Sequence, residues 1–213
     1  MTERLRYTVG EEIANSITHG LGWLLSVTGF VILVRTATLA GGSLRVISCT
    51  IFGGALVVLY GASTLYHALP NGRAKRIFRV LDHSAIFLLI AGTYTPLALV
   101  ALGGAWGWSL FGGVWLLALT GIVINALAPG RWRWLSISLY LTMGWLVVIV
   151  IQPITAAVDR GVLVLIVAGG LTYTGGLVLY FWRGLRYGHA MWHLFVLAGS
   201  VLHYFAVLFA VGF

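Results

Sequence analysis

The stretch VISCTIFGGALVVLYGASTLYHAL, residues 46–69, decides the fold of this chain. Its 24 residues include no aspartate, glutamate, lysine or arginine. With a rise of about 1.5 Å per residue, a helix of this length crosses the apolar core of a bilayer, which is about 30 Å thick. The stretch is therefore typical of a transmembrane helix, and the rest of the chain repeats the pattern.

Six further apolar stretches of similar length accompany it. The seven predicted spans lie at approximately 20–40, 46–69, 80–102, 106–127, 134–153, 161–182 and 189–211. Only 8% of the 213 residues are charged and 60% are hydrophobic, whereas about 25% of a soluble domain is charged. The sequence therefore predicts an all-α integral membrane protein, with residues 1–213 forming one seven-transmembrane domain. Its short connections make neighbouring spans antiparallel, and Pro96 is expected to kink the third span.

The basic residues predict the orientation of this bundle. They lie singly or in small groups between the spans, so the formal charge of +8 gives no reason to expect a nucleic-acid partner. Arg35, Arg45 and Arg160 fall on one side of the predicted bundle. The other ten fall on the opposite side: Arg4, Arg6, Arg73, Lys75, Arg76, Arg79, Arg131, Arg133, Arg183 and Arg186. Because lysine and arginine mark the cytoplasmic side, we expect a multi-pass protein of the cell membrane, with its N-terminus in the cytoplasm and its C-terminus outside.

Residues 8–19 differ from the first span in their pattern. Ile13 and Ile17 share one helix face, while Glu12, Asn15 and His19 line another at i, i+3 and i+7 spacing. Such a segment is typical of a short amphipathic helix. We expect this helix to lie at the cytoplasmic surface and to run into the first span.

Ionisable side chains converge at one depth of the predicted bundle. In the seven-span topology His67 ends span 2, with Ser63 one turn deeper, and Asp82 opens span 3. His189 and His193 open span 7, and the polar face of residues 8–19 lies beside the start of span 1. Ionisable groups are costly at membrane depth and usually mark a functional site. The topology therefore predicts a polar site near the inner face.

The spacing of His189 and His193 is suited to metal binding. Residues four apart point from the same face of a helix, and two histidines so placed can hold one metal ion. Zinc accepts imidazole ligands, and His67 is the natural third ligand. The motif HAMWH has no glutamate after its first histidine, so a general base would have to be Asp82 or Glu12. His203 lies ten residues beyond His193, about 15 Å deeper, and is expected to be a hydrogen-bonded core histidine.

Each of these residues also has a structural interpretation. The histidine pair could serve packing alone, and Asp82 could pair with Arg79 or His67. Ser63 could bond its own helix backbone, as membrane serines commonly do. Glu12 and Asn15 could form a solvated face. From spacing alone the metal site and these alternatives stay open. His83 is omitted from the predicted ligands because it points about 100° away from Asp82 around the helix.

Four segments resemble a known family when taken together. They are EEIANSITHG (11–20), STLYH (63–67), RVLDHSAIFLLIAGTYTP (79–96) and GHAMWHLFVLAGSVLHY (188–204). In this order they resemble the bacterial hemolysin III family, part of the progestin and adipoQ receptor superfamily, and the resemblance covers essentially the whole chain. It implies a seven-helix fold with a cytoplasmic N-terminus and a zinc ion inside the bundle near that face.

The resemblance also implies roles for individual residues. The zinc ligands would be His67, His189 and His193. Asp82 would hold the water bound to the zinc, with Ser63 beside it. Adiponectin receptors of the same superfamily are associated with ceramide hydrolysis, but this sequence lacks their long N-terminal region, so hormone reception is not expected.

Three functions follow as hypotheses. The first is a zinc-dependent hydrolase that cleaves a lipid amide or ester, in the manner of a ceramidase, with the lipid reaching the site laterally through the membrane. The second is a membrane receptor or regulator with a structural zinc, whose coordination a fourth protein ligand would close. The third is a cytolytic or channel activity, as the family name suggests. A conducting pathway should carry polar groups along its full length, and here they cluster at one end.

Overall fold

The computed structural model describes residues 7–182 and 184–212. Arg4, Arg6 and Arg183, on which part of the orientation prediction rests, lie outside the described residues, as does the C-terminal Phe213. The cytoplasmic position of the N-terminus stays a prediction. Reporters fused after residues 74 and 185 would test it.

Eight α-helices account for most of the described chain, and no strand occurs within it. They are α1 (Val9–Ala40), α2 (Ser43–Ala68), α3 (Arg73–Pro96), α4 (Gly104–Leu127), α5 (Arg133–Gly144), α6 (Ile151–Ala157), α7 (Arg160–Phe181) and α8 (Gly188–Gly212). Six helical segments are long and apolar enough to cross a membrane, with α3 counted together with the π turn that follows it. The bent pair formed by α5 and α6 brings the number to seven if it counts as one span. The predicted all-α membrane bundle is thereby confirmed.

The fifth predicted span, 134–153, is not one continuous helix. Helix α5 ends at Gly144, a short 3-10 turn covers Leu146–Val148, and α6 begins after a bend of 59°. Pro153 lies in the first turn of α6, where its missing N–H cannot extend the hydrogen-bond pattern of α5. The Tyr94 hydroxyl bonds two backbone groups where α5 passes into the 3-10 turn, donating to the Gly144 carbonyl at 3.0 Å and accepting from the Val147 N–H at 2.9 Å. A residue of α3 thus satisfies backbone groups that the interruption releases.

The third span departs from regular α geometry where Pro96 predicts an interruption. Helix α3 ends at Pro96 and passes directly into a π-helical turn, Leu97–Leu102. The Gly103 N–H donates to the Ala98 carbonyl at 2.8 Å, the i to i−5 bond of a π turn. The span continues through this wider turn and does not break.

The amphipathic segment 8–19 is part of α1 and not a separate surface helix. A capping box starts α1: the Thr8 side chain accepts from the Glu11 N–H, and the Glu11 carboxylate accepts from the Thr8 N–H. Ile13 and Ile17 are exposed at the surface of the bundle. The polar face, which includes Asn15, is turned into the protein. The segment therefore continues the first span, with its apolar residues at the surface of the bundle, where they can face lipid, and its polar groups inside, where they find partners.

The bundle is most closely packed around α2. Helix α2 packs extensively on α1 and α3, α7 packs on α8, and α1 also packs on α8. Gly22 permits one of these close approaches, because a Cβ at that position would lie 2.5 Å from the Tyr60 ring. This packing brings α1, α2 and α8 together at the end of the bundle that carries the histidines.

Candidate metal centre

Three histidines from two helices meet inside the bundle. His67 comes from the last turn of α2, and His189 and His193 come from the first two turns of α8. Each offers one ring nitrogen, and the three nitrogens all lie within 4.8 Å of one another. Within the described ranges no other set of histidine, cysteine or acidic side chains meets that condition. The structure therefore brings together the three residues that the sequence predicts as ligands.

Glu12 fixes the orientation of His67. The His67 Nδ1 lies 2.6 Å from Glu12 Oε2 and 3.4 Å from Asn15 Nδ2. Because the contact to the carboxylate is the shorter one, Nδ1 acts as the donor and Nε2 keeps its lone pair. The Nε2 atom is buried and has no hydrogen-bond partner in the part of the chain that the structure describes. A carboxylate behind one histidine nitrogen, with the other nitrogen free to ligate, is the usual arrangement in metal sites.

His193 is oriented in a similar way by the backbone of α1. Its Nδ1 lies 3.2 Å from the Asn15 carbonyl oxygen and 3.1 Å from Thr18 Oγ1. The carbonyl can only accept, so Nδ1 carries the proton and Nε2 is available as a ligand. The His19 ring stacks on the His193 ring with a centroid separation of 3.5 Å. One face of α1 thus supports the histidines of both other helices.

The predicted supporting residues Glu12, Asn15 and His19 all contact this cluster. Asn15 is fully buried and His19 is nearly so, and Glu12 also pairs with Lys75 Nζ at 3.1 Å. The alternative of a solvated face is therefore wrong for this segment. Thr18 was not predicted from the sequence, although its position three residues after Asn15 places it on the same face of the helix.

Two further contacts could not be predicted from the spacing of residues along the sequence. The Tyr7 ring stacks on His189 with a centroid separation of 5.0 Å. Lys75 Nζ, besides pairing with Glu12, donates to the Tyr66 and Leu69 carbonyls at 2.8 and 3.1 Å. Both bring distant segments to the cluster, which only the folded chain can show.

The donor set is suited to a zinc ion. Three imidazole nitrogens at this separation match the ligands that zinc accepts. The buried, unpartnered Nε2 of His67 would cost about 1–3 kcal/mol if left unsatisfied, and metal coordination would satisfy it. The residues present therefore fit the metal that the resemblance implies.

The predicted catalytic residues Asp82 and Ser63 are not part of the three-histidine cluster. The Asp82 carboxylate is mostly buried and lies 3.6 Å from His83 Nδ1. His83 Nδ1 also lies 2.8 Å from the Arg79 carbonyl, within its own helix. The Ser63 hydroxyl is fully buried and bonds no described residue. Ser63 therefore does not bond its own helix backbone, as one structural alternative assumed.

An apolar cavity of about 200 Å³ adjoins this cluster. It lies between α3, α5, α7 and α8, and its lining includes Asp82, His189 and, deeper in the bundle, His203. His203 Nε2 bonds the Ile166 carbonyl at 3.1 Å, which confirms the expected hydrogen-bonded histidine. His203 is not one of the three histidines of the cluster.

The fold and the histidine cluster define a multi-pass helical membrane protein with a three-histidine candidate metal centre. The family model described as "Haemolysin-III related" matches residues 7–204. Hemolysin-3 of Bacillus cereus is 42% identical over 99% of this chain and 98% of its own length. The Hemolysin-3 homolog of Bacillus subtilis (strain 168) is 44% identical over 95% of each chain. The chain belongs to the hemolysin III family and is a multi-pass protein of the bacterial cell membrane.

A more distant similarity places this family in the progestin and adipoQ receptor superfamily. The human monocyte to macrophage differentiation factor is 27% identical over 96% of this chain and 86% of its own length. No solved structure shows a significant match to the chain. The resemblance inferred from the four sequence segments is confirmed.

Proposed function

We propose that this protein is a zinc-dependent hydrolase that cleaves an amide or ester bond of a lipid from within the membrane. One observation carries the proposal: the three-histidine cluster adjoins an apolar cavity whose lining includes Asp82 and His189. A metal-binding cluster, a carboxylate and an apolar cavity are the parts that hydrolysis of a lipid would require.

The cavity suits an acyl chain, and the packing of the helices suits lateral access. Helices α5 and α7 both line the cavity but have little direct backbone contact. Side chains bridge them at two levels: the Trp134 ring stacks on Phe181, and Trp145 Nε1 donates to Thr174 Oγ1 at 3.1 Å. An acyl chain could pass from the bilayer between these two bridges. Binding would then be driven by burial of its methylene groups, at about 0.8 kcal/mol each.

The residues around the cluster would divide the chemistry between them. A zinc ion held by three imidazoles supplies acidification of a water molecule and polarisation of the scissile carbonyl. Asp82 would orient the attacking water and accept its proton. The Ser63 hydroxyl, which has no described partner, would donate a hydrogen bond to the negative oxygen that develops on the acyl carbon. The oxygen of water bonds that carbon, the C–N or C–O bond breaks, and the proton passes from Asp82 to the leaving amine or alcohol.

The ligand count supports a catalytic metal over a structural one. Structural zinc sites are closed by four protein ligands, whereas catalytic sites keep three ligands and an open position. Among the described residues, the ligand atoms that lie within 4.8 Å of one another belong to the three histidines, and Asp82 is not in this group. This favours the hydrolase over a receptor or regulator with a structural zinc.

The substitution Asp82→Asn tests the proposal. It is nearly isosteric and removes the proton-accepting charge, so turnover of a ceramide-like substrate should fall by roughly 10²–10⁴. Zinc content and melting temperature should stay at the wild-type values. Asp159→Asn removes the same charge from an exposed position and should change none of the three measurements.

Two results would overturn the hydrolase. If Asp82→Asn lowers zinc content and melting temperature together, Asp82 is a direct ligand and the metal is structural. If the zinc-loaded wild type turns over no lipid amide or ester in a broad panel, the receptor or regulator hypothesis takes its place.

A further inference from the structure

A second pocket, separate from the histidine cluster, lies between the ends of α3, α4 and α5. Its volume is about 260 Å³, and we call it the basic pocket. The polar and charged side chains in its lining are Arg79, His83, Asn125, Arg133 and Ser136, together with the phenols of Tyr140 and Tyr180. Two arginines and no carboxylate in the lining give it a positive character. We propose that the basic pocket binds the phosphate of an anionic lipid headgroup.

Arg133 is held in a way that leaves its guanidinium able to bind an anion. It lies 4.9 Å from the centroid of the Tyr180 ring and 5.8 Å from that of Trp134. Its Nε is buried with no hydrogen-bond partner among the described residues, and none of the described carboxylates forms an ion pair with it. Aromatic packing therefore positions the side chain while its buried Nε–H still lacks an acceptor in the described chain. The planar fork of arginine matches the oxygens of a phosphate.

The walls of the basic pocket are fixed by hydrogen bonds between helices. Asn125 of α4 is buried and donates to Ser84 Oγ at 2.9 Å and to the Val80 carbonyl at 3.2 Å, both in α3. The Tyr140 hydroxyl of α5 donates to the His83 carbonyl at 2.8 Å. These bonds join α3 to α4 and to α5. The pocket is thus formed without a ligand, which reduces the ordering that binding requires.

The surroundings of the basic pocket indicate headgroup depth. Trp132 lines it and Trp134 adjoins it, and both indoles are more than half exposed. Tryptophan is enriched where a membrane meets water, and basic pockets between helices at that level bind anionic headgroups. A phospholipid phosphate is the anion most concentrated at this depth, so a lipid is favoured over soluble phosphate.

The basic pocket also adjoins the apolar cavity. His83, Ile137, Tyr140 and Tyr180 line both. A lipid with its phosphate on Arg133 can therefore extend its chain toward Asp82 and the histidines. If the centre is hydrolytic, lipids with a phosphate-bearing headgroup are among its substrates; this part rests on the proposed function, whereas binding itself does not.

The test measures lipid binding and needs no turnover. Purified protein in a neutral detergent is melted at increasing concentrations of phosphatidylglycerol, phosphatidylcholine or inorganic phosphate. Phosphatidylglycerol should raise the melting temperature of the wild type in a saturable way, and the other two should do so weakly. Arg133→Gln and Arg79→Gln should each weaken the response about tenfold, because each removes a charged hydrogen-bonding group.

Matched controls separate the pocket from general surface attraction. Arg131→Gln and Arg76→Gln remove the same charge from the same two segments, at exposed positions outside the lining, and should weaken the response less than about threefold. If Arg133→Gln does not fold, Arg133→Lys, which keeps the charge without the fork, takes its place and should bind more weakly than wild type.

Several results would overturn the proposal. Equal stabilisation by phosphatidylcholine would remove the anionic selectivity, and an equal effect of inorganic phosphate would assign the pocket to a soluble anion. If Arg131→Gln and Arg133→Gln weaken the response to phosphatidylglycerol equally, the response comes from general surface charge and not from the pocket. Selective phosphatidylglycerol binding without turnover would support the basic pocket and refute the hydrolase proposal. Lipid turnover without this selectivity would support the hydrolase and refute the basic pocket.

Discussion

The two sides of this bundle are packed for different tasks. On the ligand side, formed by α1, α2 and α8, polar bonds join the helices: Tyr60 donates to Ser200 at 2.8 Å, and Tyr204 to the Gly29 carbonyl at 3.0 Å. On the cavity side, formed by α5, α6 and α7, these helices make few contacts with one another and α5 is broken from α6.

This difference matches the demands of a metal and of a lipid. Ligand atoms have to be held within a few tenths of an ångström, which requires closely packed helices. A lipid needs space and a route, which loosely packed helices provide. If the two sides have these separate tasks, changes on the ligand side should alter zinc binding and changes on the cavity side should alter lipid turnover.

The largest effect is expected from His193→Ala on the ligand side. The remaining two histidines should hold little zinc, so the metal content should fall from about one per chain to near zero. Loss of a ligand that binds only the folded state should also lower the melting temperature, by about 5–10 °C. Metal analysis of purified protein and thermal melting measure both. His203→Ala is the control and should keep its zinc; retention of zinc in His193→Ala would refute the three-histidine centre.

Glu12→Gln should have the next largest effect. It removes the carboxylate that accepts from His67 Nδ1, and loss of such a support typically weakens metal affinity by about 10–100-fold. Competition with a zinc chelator measures this affinity. The neighbouring Glu11 bonds Thr8 and the Tyr187 N–H instead, so Glu11→Gln should bind zinc as wild type does. Equal affinities in the two variants would contradict the assigned role of Glu12.

On the cavity side, Gly170→Leu should impair turnover without loss of zinc. Gly170 lines the cavity, and a Cβ there would meet the Trp145 ring at an ordinary 3.6 Å. The larger side chain should displace about two methylenes of a bound lipid, raising KM roughly tenfold. Gly175→Leu adds the same side chain on α7 where a Cβ meets nothing within 4 Å, and it should leave KM unchanged. A fall in zinc content of Gly170→Leu would show that the two sides are not independent.

The smallest effect is expected from Tyr94→Phe. This change removes the hydroxyl that bonds Gly144 and Val147 at the break between α5 and α6, at a cost of about 1–3 kcal/mol. Amide hydrogen exchange around residues 144–150 should become faster, with zinc content unchanged. Tyr204→Phe removes one hydroxyl from the ligand side and should leave exchange in this segment as it was. Equal exchange in both variants would mean that Tyr94 does not stabilise the break.

Much of the candidate site could be predicted because its signals are local or follow from topology. The i, i+4 spacing places His189 and His193 on one face, and the alternation of spans brings His67 and Asp82 to the same end. The break at Gly144 could not be predicted in this way, since its backbone groups are satisfied by Tyr94, 50 residues away. The basic pocket escaped prediction for the same reason, because Arg79 and Arg133 come from separate helices.

The sequence by itself determined the membrane environment, the approximate spans and the three histidines. These follow from composition and from spacing along single helices, where the geometry is fixed by the backbone. Only the tertiary structure decided which way the polar face of α1 turns, which nitrogen of each of His67 and His193 is left to bind a metal, and where the cavity lies. Those features depend on distances between helices far apart in the chain, and on whether a buried polar group finds its partner in lipid, in water or in another helix.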